Sequence, residues 1–382
     1  MIIKKEVLSI KNNLTDFNTN EMIGIVKRDK NKKRSFLLLN KLQSKHYPSD
    51  PIETNKLFSL LSKTVYSKYS NKKNVLVIGF AETAVAIGTY VAVAFKNSYY
   101  VQTTREDISD KPFLTFSEVH SHAVTHKIYT DNLQEIIEKA DLIVIVDDEF
   151  TTGNTAINLI NTLKKEYKIK NDCDICMASI LSCMNQQCLQ RIRENNIHLI
   201  SLIDAQINEE NINFPVDFLL DNTYNQNHKK DITFYRVSGK TTPIYSISSM
   251  EYINKCDEFI SSVIDIVNPI NTQNSILVIG TEEFSFCALR LGIILKKTNN
   301  NVKVQCTTQS PILPSCQEGY TINNRSRLTS LYDKNRVTYI YQMEHYDTAI
   351  ILTDAENPSE QAKKQLIDSV NADRIFFIQW GK

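Results

Sequence analysis

Net charge of either sign is nearly missing from this 382-residue chain: 44 lysines and arginines stand against 43 aspartates and glutamates, a formal balance of +1. Such a balance excludes any general electrostatic pull toward nucleic acid or membrane, so neither is expected as a partner, although local patches can still bind phosphate. A secretory leader is missing too, because Met1-Ile2-Ile3-Lys4-Lys5-Glu6 is too short and too charged for an apolar h-region. Long apolar runs are scarce. The one from Val75 to Phe95 has the length to cross a bilayer. It contains Gly79 and Glu82, however, and turns from strand-like to helix-like after its first five residues, so it reads as a buried strand, a turn and a packed helix. A zinc site is lacking as well. Cys173-x-x-Cys176 is half of one, but Cys183 and Cys188 have the wrong spacing for the other half and no histidine is close. The eight cysteines are therefore expected as reduced thiols packed in a core, and the cytoplasm as the compartment.

What is present suits a globular α/β protein. Hydrophobic residues make up 42% of the chain, enough to fill ordinary cores, and the length favours two or three domains. After an apolar strand at 36–39 and a polar loop at 43–48, Leu57, Leu60, Leu61 and Val65 recur at helical spacing within 53–69. Val75-Leu76-Val77-Ile78 then has the continuous apolar character of a parallel strand covered on both faces. Strands at 75–78, 99–104, 142–146, 175–181 and 198–203 alternate with helices at 83–95, 131–138, 154–167 and 185–195, which predicts a mostly parallel sheet with right-handed crossovers. Residues 205–250 lose this rhythm and read as an irregular connection with short strands; a helix at 251–267 restarts it.

The restart echoes the first half. Ile276 to Glu283 parallels Val75 to Glu82, Val304 to Thr308 parallels Tyr100 to Thr104, and Tyr346 to Asp354 parallels Ala140 to Asp148. Three matches in the same order suggest a shared sheet plan.

Chemistry concentrates where the strand Ile143–Val146 runs into Asp147-Asp148-Glu149-Phe150-Thr151-Thr152-Gly153-Asn154-Thr155. Ligands of open α/β sheets collect at the carboxyl ends of strands. Free backbone N–H groups at a helix start, together with the hydroxyls of Thr151, Thr152 and Thr155, suit a phosphate monoester. Gly153 permits a tight turn. Asp147 and Asp148 can accept hydrogen bonds from a ribose diol and orient a hydrated Mg²⁺. A second strand-to-helix turn, Gly79-Phe80-Ala81-Glu82-Thr83, and Arg105 after Thr103-Thr104 complete the candidate set.

The first of these segments resembles the signature of type I phosphoribosyltransferases: four apolar residues, two acids, two mostly apolar positions and a Thr/Gly loop. Glu149 and Phe150 depart from it where small or aliphatic residues are more usual. With Glu118-x-His120-Ser121-His122-Ala123, Thr103-Thr104-Arg105-Glu106, Gly280-Thr281-Glu282-Glu283-Phe284 and Asn324-Arg325-Ser326-Arg327 added, the chain resembles a narrower group. These are the predicted phosphoribosyltransferases of bacterial tellurite-resistance and stress gene clusters, whose C-terminal domain is named for a Thr-Arg-Ser-Pro (TRSP) signature. That signature stands here as Thr308-Gln309-Ser310-Pro311, without its arginine.

The resemblance implies 5-phosphoribosyl-1-pyrophosphate (PRPP) as donor, Mg²⁺ as cofactor and a nucleobase-like or other small acceptor. Asp147 and Asp148 would hold the ribose and, through water, the metal; Thr151, Thr152, Gly153, Asn154 and Thr155 would hold the 5′-phosphate; residues 79–83 and Arg105 would hold pyrophosphate. In the long loop that follows, Glu118, His120 and His122 are candidates for handling an acceptor proton and Lys127 for meeting pyrophosphate. The expected organisation is a Rossmann-like phosphoribosyltransferase domain over 1–240 and a related α/β domain, a degenerate repeat of the first, over 241–382. Thr353-Asp354 is followed by Pro358 and no Thr-Thr-Gly, so one donor site is expected, in the first half. Arg325, Arg327 and Arg336 are candidates for an anionic acceptor. A homodimer is admitted as the assembly. The competing readings are a sensor that binds the same donor without catalysis and a scaffold subunit of a biosynthetic complex.

Overall fold

The computed structural model describes residues 7–29, 34–108, 110–116, 126–222, 230–268 and 273–381. The first half runs β1 (Leu8–Asn13), α1 (Thr19–Met22), β2 (Ile23–Lys27), β3 (Phe36–Asn40), α2 (Pro51–Tyr69), β4 (Val75–Gly79), α3 (Val85–Val93), β5 (Ser98–Gln102), β6 (Phe113–Phe116) and β7 (His126–Tyr129). It continues with α4 (Leu133–Lys139), β8 (Leu142–Phe150), α5 (Asn154–Glu166), β9 (Asp174–Ser182), α6 (Gln186–Glu194) and β10 (Ile197–Ile207). Then come β11 (Asp231–Val237), β12 (Ile247–Ser248), α7 (Ser249–Val267), β13 (Ile276–Gly280), α8 (Phe286–Lys296), β14 (Val302–Cys306), β15 (Arg325–Thr329), β16 (Val337–Tyr341), β17 (Tyr346–Thr353), α9 (Glu360–Ser369) and β18 (Ala372–Trp380).

Two sheets carry the fold. The first has the order β1-β10-β9-β8-β4-β5-β12, parallel through its centre with antiparallel edges at β1 and β12. The second, β11-β18-β17-β13-β14, is parallel throughout. Every residue of β4 and of β13 is buried, as central strands covered by helices on both faces require. Helix α2 starts where Asp50 caps it through Ile52 N at 2.9 Å and Pro51 supplies a first residue already set for helix. It buries Leu57, Phe58, Leu61 and Val65.

The sequence echo continues in the hydrogen bonding. Thr103 N donates to Gly79 O at 2.9 Å, and Thr307 N to Gly280 O at 3.0 Å. The Thr103 hydroxyl accepts from Ala81 N at 2.9 Å, and that of Thr307 from Glu282 N at 3.0 Å. Asp141 accepts from Asn74 N at 3.1 Å, and Asp347 from Ser275 N at 2.6 Å. Strand hairpins β6–β7 and β15–β16 follow β5 and β14 in the same places, tied to Thr104 and Thr308 respectively.

The halves are not separate bodies. One core cluster takes Ile78, Val91 and Tyr100 from the first and Phe284, Leu289 and Val304 from the second. Around residue 240 the chain also crosses between sheets, since β11 pairs with β18 and β12 pairs with β5.

The run Val75–Phe95 is β4, a turn and α3, and no helix among the described residues is long and apolar enough to cross a membrane. The sequence pattern misses β1, β2, both hairpins after β5 and β14, and β18. It also ends β8 at Val146, whereas β8 continues to Phe150, paired with β9 as far as Ser182. The acidic pair therefore sits on a strand rather than in the turn beyond it.

Candidate donor site

The Thr/Gly loop is short. Thr151 and Thr152 follow β8 directly, and Gly153, at φ +72, sits at the N-cap of α5 without a side-chain cap. That φ belongs to the left-handed region, which favours glycine; a Cβ there would also stand 2.7 Å from the Met184 Cε, the movable end of a flexible side chain. The uncapped first turn leaves helix N–H groups facing outward with the dipole behind them, a ready place for phosphate. Thr151, Thr152 and Arg34 border a groove of about 1170 Å³.

Asp147 and Asp148 lie half-buried at the end of β8, with Asp148 N donating to Asp147 Oδ1 at 2.9 Å. Burial and then the Asp148 charge push the Asp147 carboxyl well above its ordinary range. The Thr83 hydroxyl donates to Asp148 Oδ1 at 2.7 Å, which joins the 79–83 turn to the acids. Glu149 pairs with Arg34 at 2.6 Å, so this departure from the usual signature is neutralised by a residue of the β2–β3 hairpin.

In the 79–83 turn, Phe80 is buried against Phe116 and His126, the Ala81–Glu82 peptide is cis, and Glu82 turns inward. Its carboxylate meets Lys45 Nζ at 2.8 Å and accepts from Gln309 N at 3.0 Å and the Thr308 hydroxyl at 3.3 Å. Burial is the largest influence on Glu82 and opposes its charge, but the Lys45 ion pair, the Arg105 charge and the Gln309 N–H together hold the carboxyl below its usual range. The same pairing raises Lys45 despite its own burial. Lys45 Nζ donates also to the Glu282 carbonyl.

Basic groups gather beside this turn. Arg105 reaches Gln309 Oε1 at 3.3 Å and keeps a buried Nε without a partner among the described residues; the Nε of Arg28 is likewise unpartnered. Burial, and then the charges of Arg34 and Arg105 against the opposing Glu149, depress the pKa of Arg28. His46 is 3% exposed and neither ring nitrogen has a partner among the described residues. Burial pushes its pKa down to about 4, with nearby Glu82 working the other way. A buried imidazole with both nitrogens idle, and crowded guanidinium groups, are costly unless a polar ligand or water completes them.

Of the set that sequence reasoning placed together, the 79–83 turn meets Asp148 through Thr83, the Thr/Gly loop follows the acids along the chain, and Arg105 reaches Gln309 of the second half. Lys127 instead pairs with Asp107 and lies over the Phe113 ring. Glu118, His120 and His122 lie outside the described residues. Lys45, His46, Arg28 and Arg34 were missed; the only signals were the basic run Lys27 to Arg34 and the polar loop around Lys45-His46. Of the arginines offered to an anionic acceptor, Arg325 is buried on Asp221 at 2.5 Å. Arg336 is bound by Glu106 at 2.5 Å and Glu282 at 3.0 Å. Cys173 and Cys176 belong to no metal-holding group among the described residues.

The Glu283 carboxylate mirrors Glu82, accepting from the Thr104 hydroxyl at 3.2 Å and from Gln102 Nε2 at 3.0 Å. No cation pairs with it among the described residues, and burial followed by the Glu106 charge pushes its pKa up to about 8. Burial, only partly offset by Arg336, likewise brings Glu282 to about 7. A carboxyl whose pKa is raised on folding keeps its proton in the folded chain while the unfolded chain has lost it. Its favourable contribution is present below about pH 4 and is lost as pH rises through the folded value. Glu283→Gln is therefore expected to close the stability gap between pH 6 and pH 9 relative to wild type, measured by urea unfolding at each pH. An unchanged pH slope would show that Glu283 is ionised throughout.

A strand-end site joining an acidic pair to a Thr/Gly phosphate loop, with arginines beside a neighbouring strand-to-helix turn, is the arrangement of a ribose-phosphate-binding transferase. Residues 22–208 match the phosphoribosyl transferase family, and residues 247–370 match the TRSP domain found C-terminal to that transferase domain. The chain thus carries a phosphoribosyl transferase domain followed by a TRSP domain. No curated protein matches it. Among solved structures, adenine phosphoribosyltransferase from Thermoanaerobacter pseudethanolicus is 16% identical with a TM-score of 0.36, covering 49% of this chain and 97% of its own. An APRTase from Giardia lamblia complexed with 9-deazaadenine is 16% identical with a TM-score of 0.37, covering 50% and 97%. The Trypanosoma brucei adenine phosphoribosyl transferase in complex with AMP, pyrophosphate and ribose-5-phosphate is 12% identical, TM-score 0.37, covering 52% and 83%.

Proposed function

We propose that the first half binds one PRPP and transfers its ribosyl phosphate to a nucleobase-like or other small acceptor, releasing pyrophosphate. The observation that carries this reading is the gathering of His46, whose ring nitrogens are both without partners among the described residues, and of Arg28 and Arg105, each with an idle Nε, near the turn that Thr83 ties to Asp148. Arg105 and Arg28 would hold pyrophosphate, since a guanidinium can grip it bidentately. The first turn of α5 with Thr151, Thr152 and Thr155 would hold the 5′-phosphate, and Asp147 with Asp148 the ribose hydroxyls. Positive charge that develops on the ribose ring as the C1–pyrophosphate bond breaks would be stabilised by the two carboxylates. Correct placement of both reactants would supply much of the remaining rate. Glu118, His120 and His122 would cover the site and move the acceptor proton, and the C-terminal half would be needed for the acceptor step.

Mg²⁺ fits this donor set as a shared ion. Two adjacent half-buried carboxylates that repel each other are relieved by a cation, yet no group of three or more His, Cys, Asp or Glu among the described residues forms a protein cage. The ion would therefore come with pyrophosphate, whose charge it neutralises. Calorimetry is expected to give one PRPP per chain, with affinity falling at least about tenfold when the metal is chelated, roughly 1.4 kcal/mol. Equal affinity under chelation, or two donors per chain, would reject the reading. Mass spectrometry after incubation with mixed nucleobases identifies the acceptor.

A further inference from the structure

A second cavity, of about 450 Å³, opens at the carboxyl ends of the second sheet, between the halves. Its floor is the β13 turn, Glu282 to Phe284, and Asp354 just beyond β17; Gln102 and Glu106 close it from the first half, and residues 240–245 form a third wall. In position it is the counterpart of the donor site. Glu283 corresponds to Glu82, Asp354 corresponds to Asp148, and Tyr332 donates to Asp354 Oδ1 at 2.6 Å as Thr83 donates to Asp148.

Its chemistry is reversed. The place of Asp147 is taken by Thr353, buried on Thr281 at 2.9 Å, and the Thr/Gly loop is replaced by a segment with Pro358, which has no N–H to offer a phosphate. Where arginines crowd the first site, carboxyls of Glu106, Glu282, Glu283, Asp354 and Glu356 line this one, the first two of them paired with Arg336. The cation in the lining is Lys240, whose Nζ donates to the Asp354 carbonyl at 2.6 Å. That nitrogen stands 3.7 Å from the Asp354 carboxylate and 3.8 Å from that of Glu356, ion-pair distances outside hydrogen-bond range, so Asp354 Oδ2 keeps capacity to accept. Tyr245, Tyr252, Phe284 and Tyr332 give the walls flat apolar faces. The volume falls within the roughly 300–1,000 Å³ of small-molecule sites, and a few polar groups among aromatic walls is their usual make-up.

We propose that this cavity is a second ligand site, which takes a small planar molecule presenting a cationic or amino-bearing nitrogen edge, and that it excludes PRPP. A phosphate-rich ligand would meet carboxylates without a cradle of N–H groups. A flat ring fills the slot between the tyrosines while its N–H groups meet Asp354 and the rim acid Glu356. The site stands apart from the transfer reading, since none of its evidence involves the acidic pair or the Thr/Gly loop.

Benzamidine, planar and amidinium-bearing, is the probe, titrated calorimetrically into the full chain, with benzoate as the anion of matching shape. Saturable 1:1 binding of benzamidine but not benzoate is expected, unaffected by saturating PRPP with Mg²⁺. Asp354→Asn is expected to weaken it on the order of tenfold or more, the scale of one charge-assisted hydrogen bond. Glu356→Gln, at an exposed position that does not endanger folding, should weaken it less while PRPP affinity stays at wild type. Absence of benzamidine binding, equal binding of benzoate, displacement by PRPP, or unchanged affinity in both variants would overturn the assignment. Loss of PRPP binding in the wild type alongside intact benzamidine binding would reject the donor site and leave this one standing.

Discussion

Turnover is expected to fall on the order of 100- to 1000-fold when Asp147 and Asp148 are both replaced by asparagine, the scale seen when groups that stabilise developing charge are removed. The side-chain volumes stay nearly constant, so Thr83 can still donate to the residue at 148, as it does now at 2.7 Å. What disappears is the negative charge facing the ribose and the metal. Stability should move the other way. Burial and then the Asp148 charge raise the Asp147 pKa well above its ordinary value, so charging this carboxyl costs more in the folded chain than in the unfolded one. Asparagine removes that penalty, and the melting temperature of the double variant is expected to match or exceed wild type. A pair of acids retained at a cost to stability is what a functional site looks like. Pyrophosphate release, PRPP titration and thermal melting on one preparation decide the matter. Unchanged turnover and affinity would sink the donor-site assignment, and a large loss of melting temperature would show that the acids are structural.

The parts of this fold that could be read in advance are those governed by local pattern. β4, β8 and β13 are continuous apolar runs because helices cover both faces, and α2 announces itself by apolar spacing and an Asp-Pro start. The two halves could be matched because the Gly at the end of β4 or β13 and the Thr-Thr after β5 or β14 serve the same backbone hydrogen bonds in both. The hairpins could not be read. β6 buries only Phe116, and β15, Arg-Ser-Arg-Leu-Thr, places a buried arginine and serine where a strand pattern looks for apolar residues. The long β8 was shortened because Asp147, Asp148 and Glu149 break the apolar run, although backbone pairing with β9 continues beneath them.

The basic side of the donor site was hidden for a different reason. Glu82 looked misplaced beside an anion because its neutralising partner, Lys45, lies 37 positions earlier in the chain, and Gln309 N, which binds its other side, lies 227 positions later. Spacing rules cannot see such contacts; only the apposition of two sheets creates them. The shared core has the same consequence for any separation of the halves. Cutting near residue 250 would expose α3 and α2 where they pack on α8, so isolated activity of the first half is a test of folding as much as of function.

Lys45→Met is the substitution with the largest expected effect on stability, a loss of roughly 3–5 kcal/mol, because it strands one member of a buried ion pair. Lys45 and Glu82 are 2% and 6% exposed, and the ammonium group serves Glu82 and the Glu282 carbonyl at once. Methionine fills the space of the aliphatic stem, so the loss is electrostatic rather than a cavity. The pH dependence identifies it. In the wild type Glu82 has a depressed pKa, so its contribution is present above the unfolded value near 4.5 and is lost as pH falls through the lower folded value. Without Lys45 the buried carboxyl would hold its proton more tightly in the folded chain. The variant should then gain more stability on acidification toward pH 5 than the wild type does. Glu82→Gln on the Lys45→Met background removes the stranded charge and should recover at least half of the loss. Urea unfolding at pH 5 and pH 8 for the two variants separates these outcomes. A loss below about 1 kcal/mol, the range of exposed pairs, would mean that water reaches Glu82 and that the contact between the halves at this turn is open. PRPP affinity follows the same logic, since Gln309, whose N–H donates to Glu82, is also the residue that accepts from Arg105. A weaker KM for PRPP in Lys45→Met, restored in the double variant, would place the second half as a support of the pyrophosphate turn.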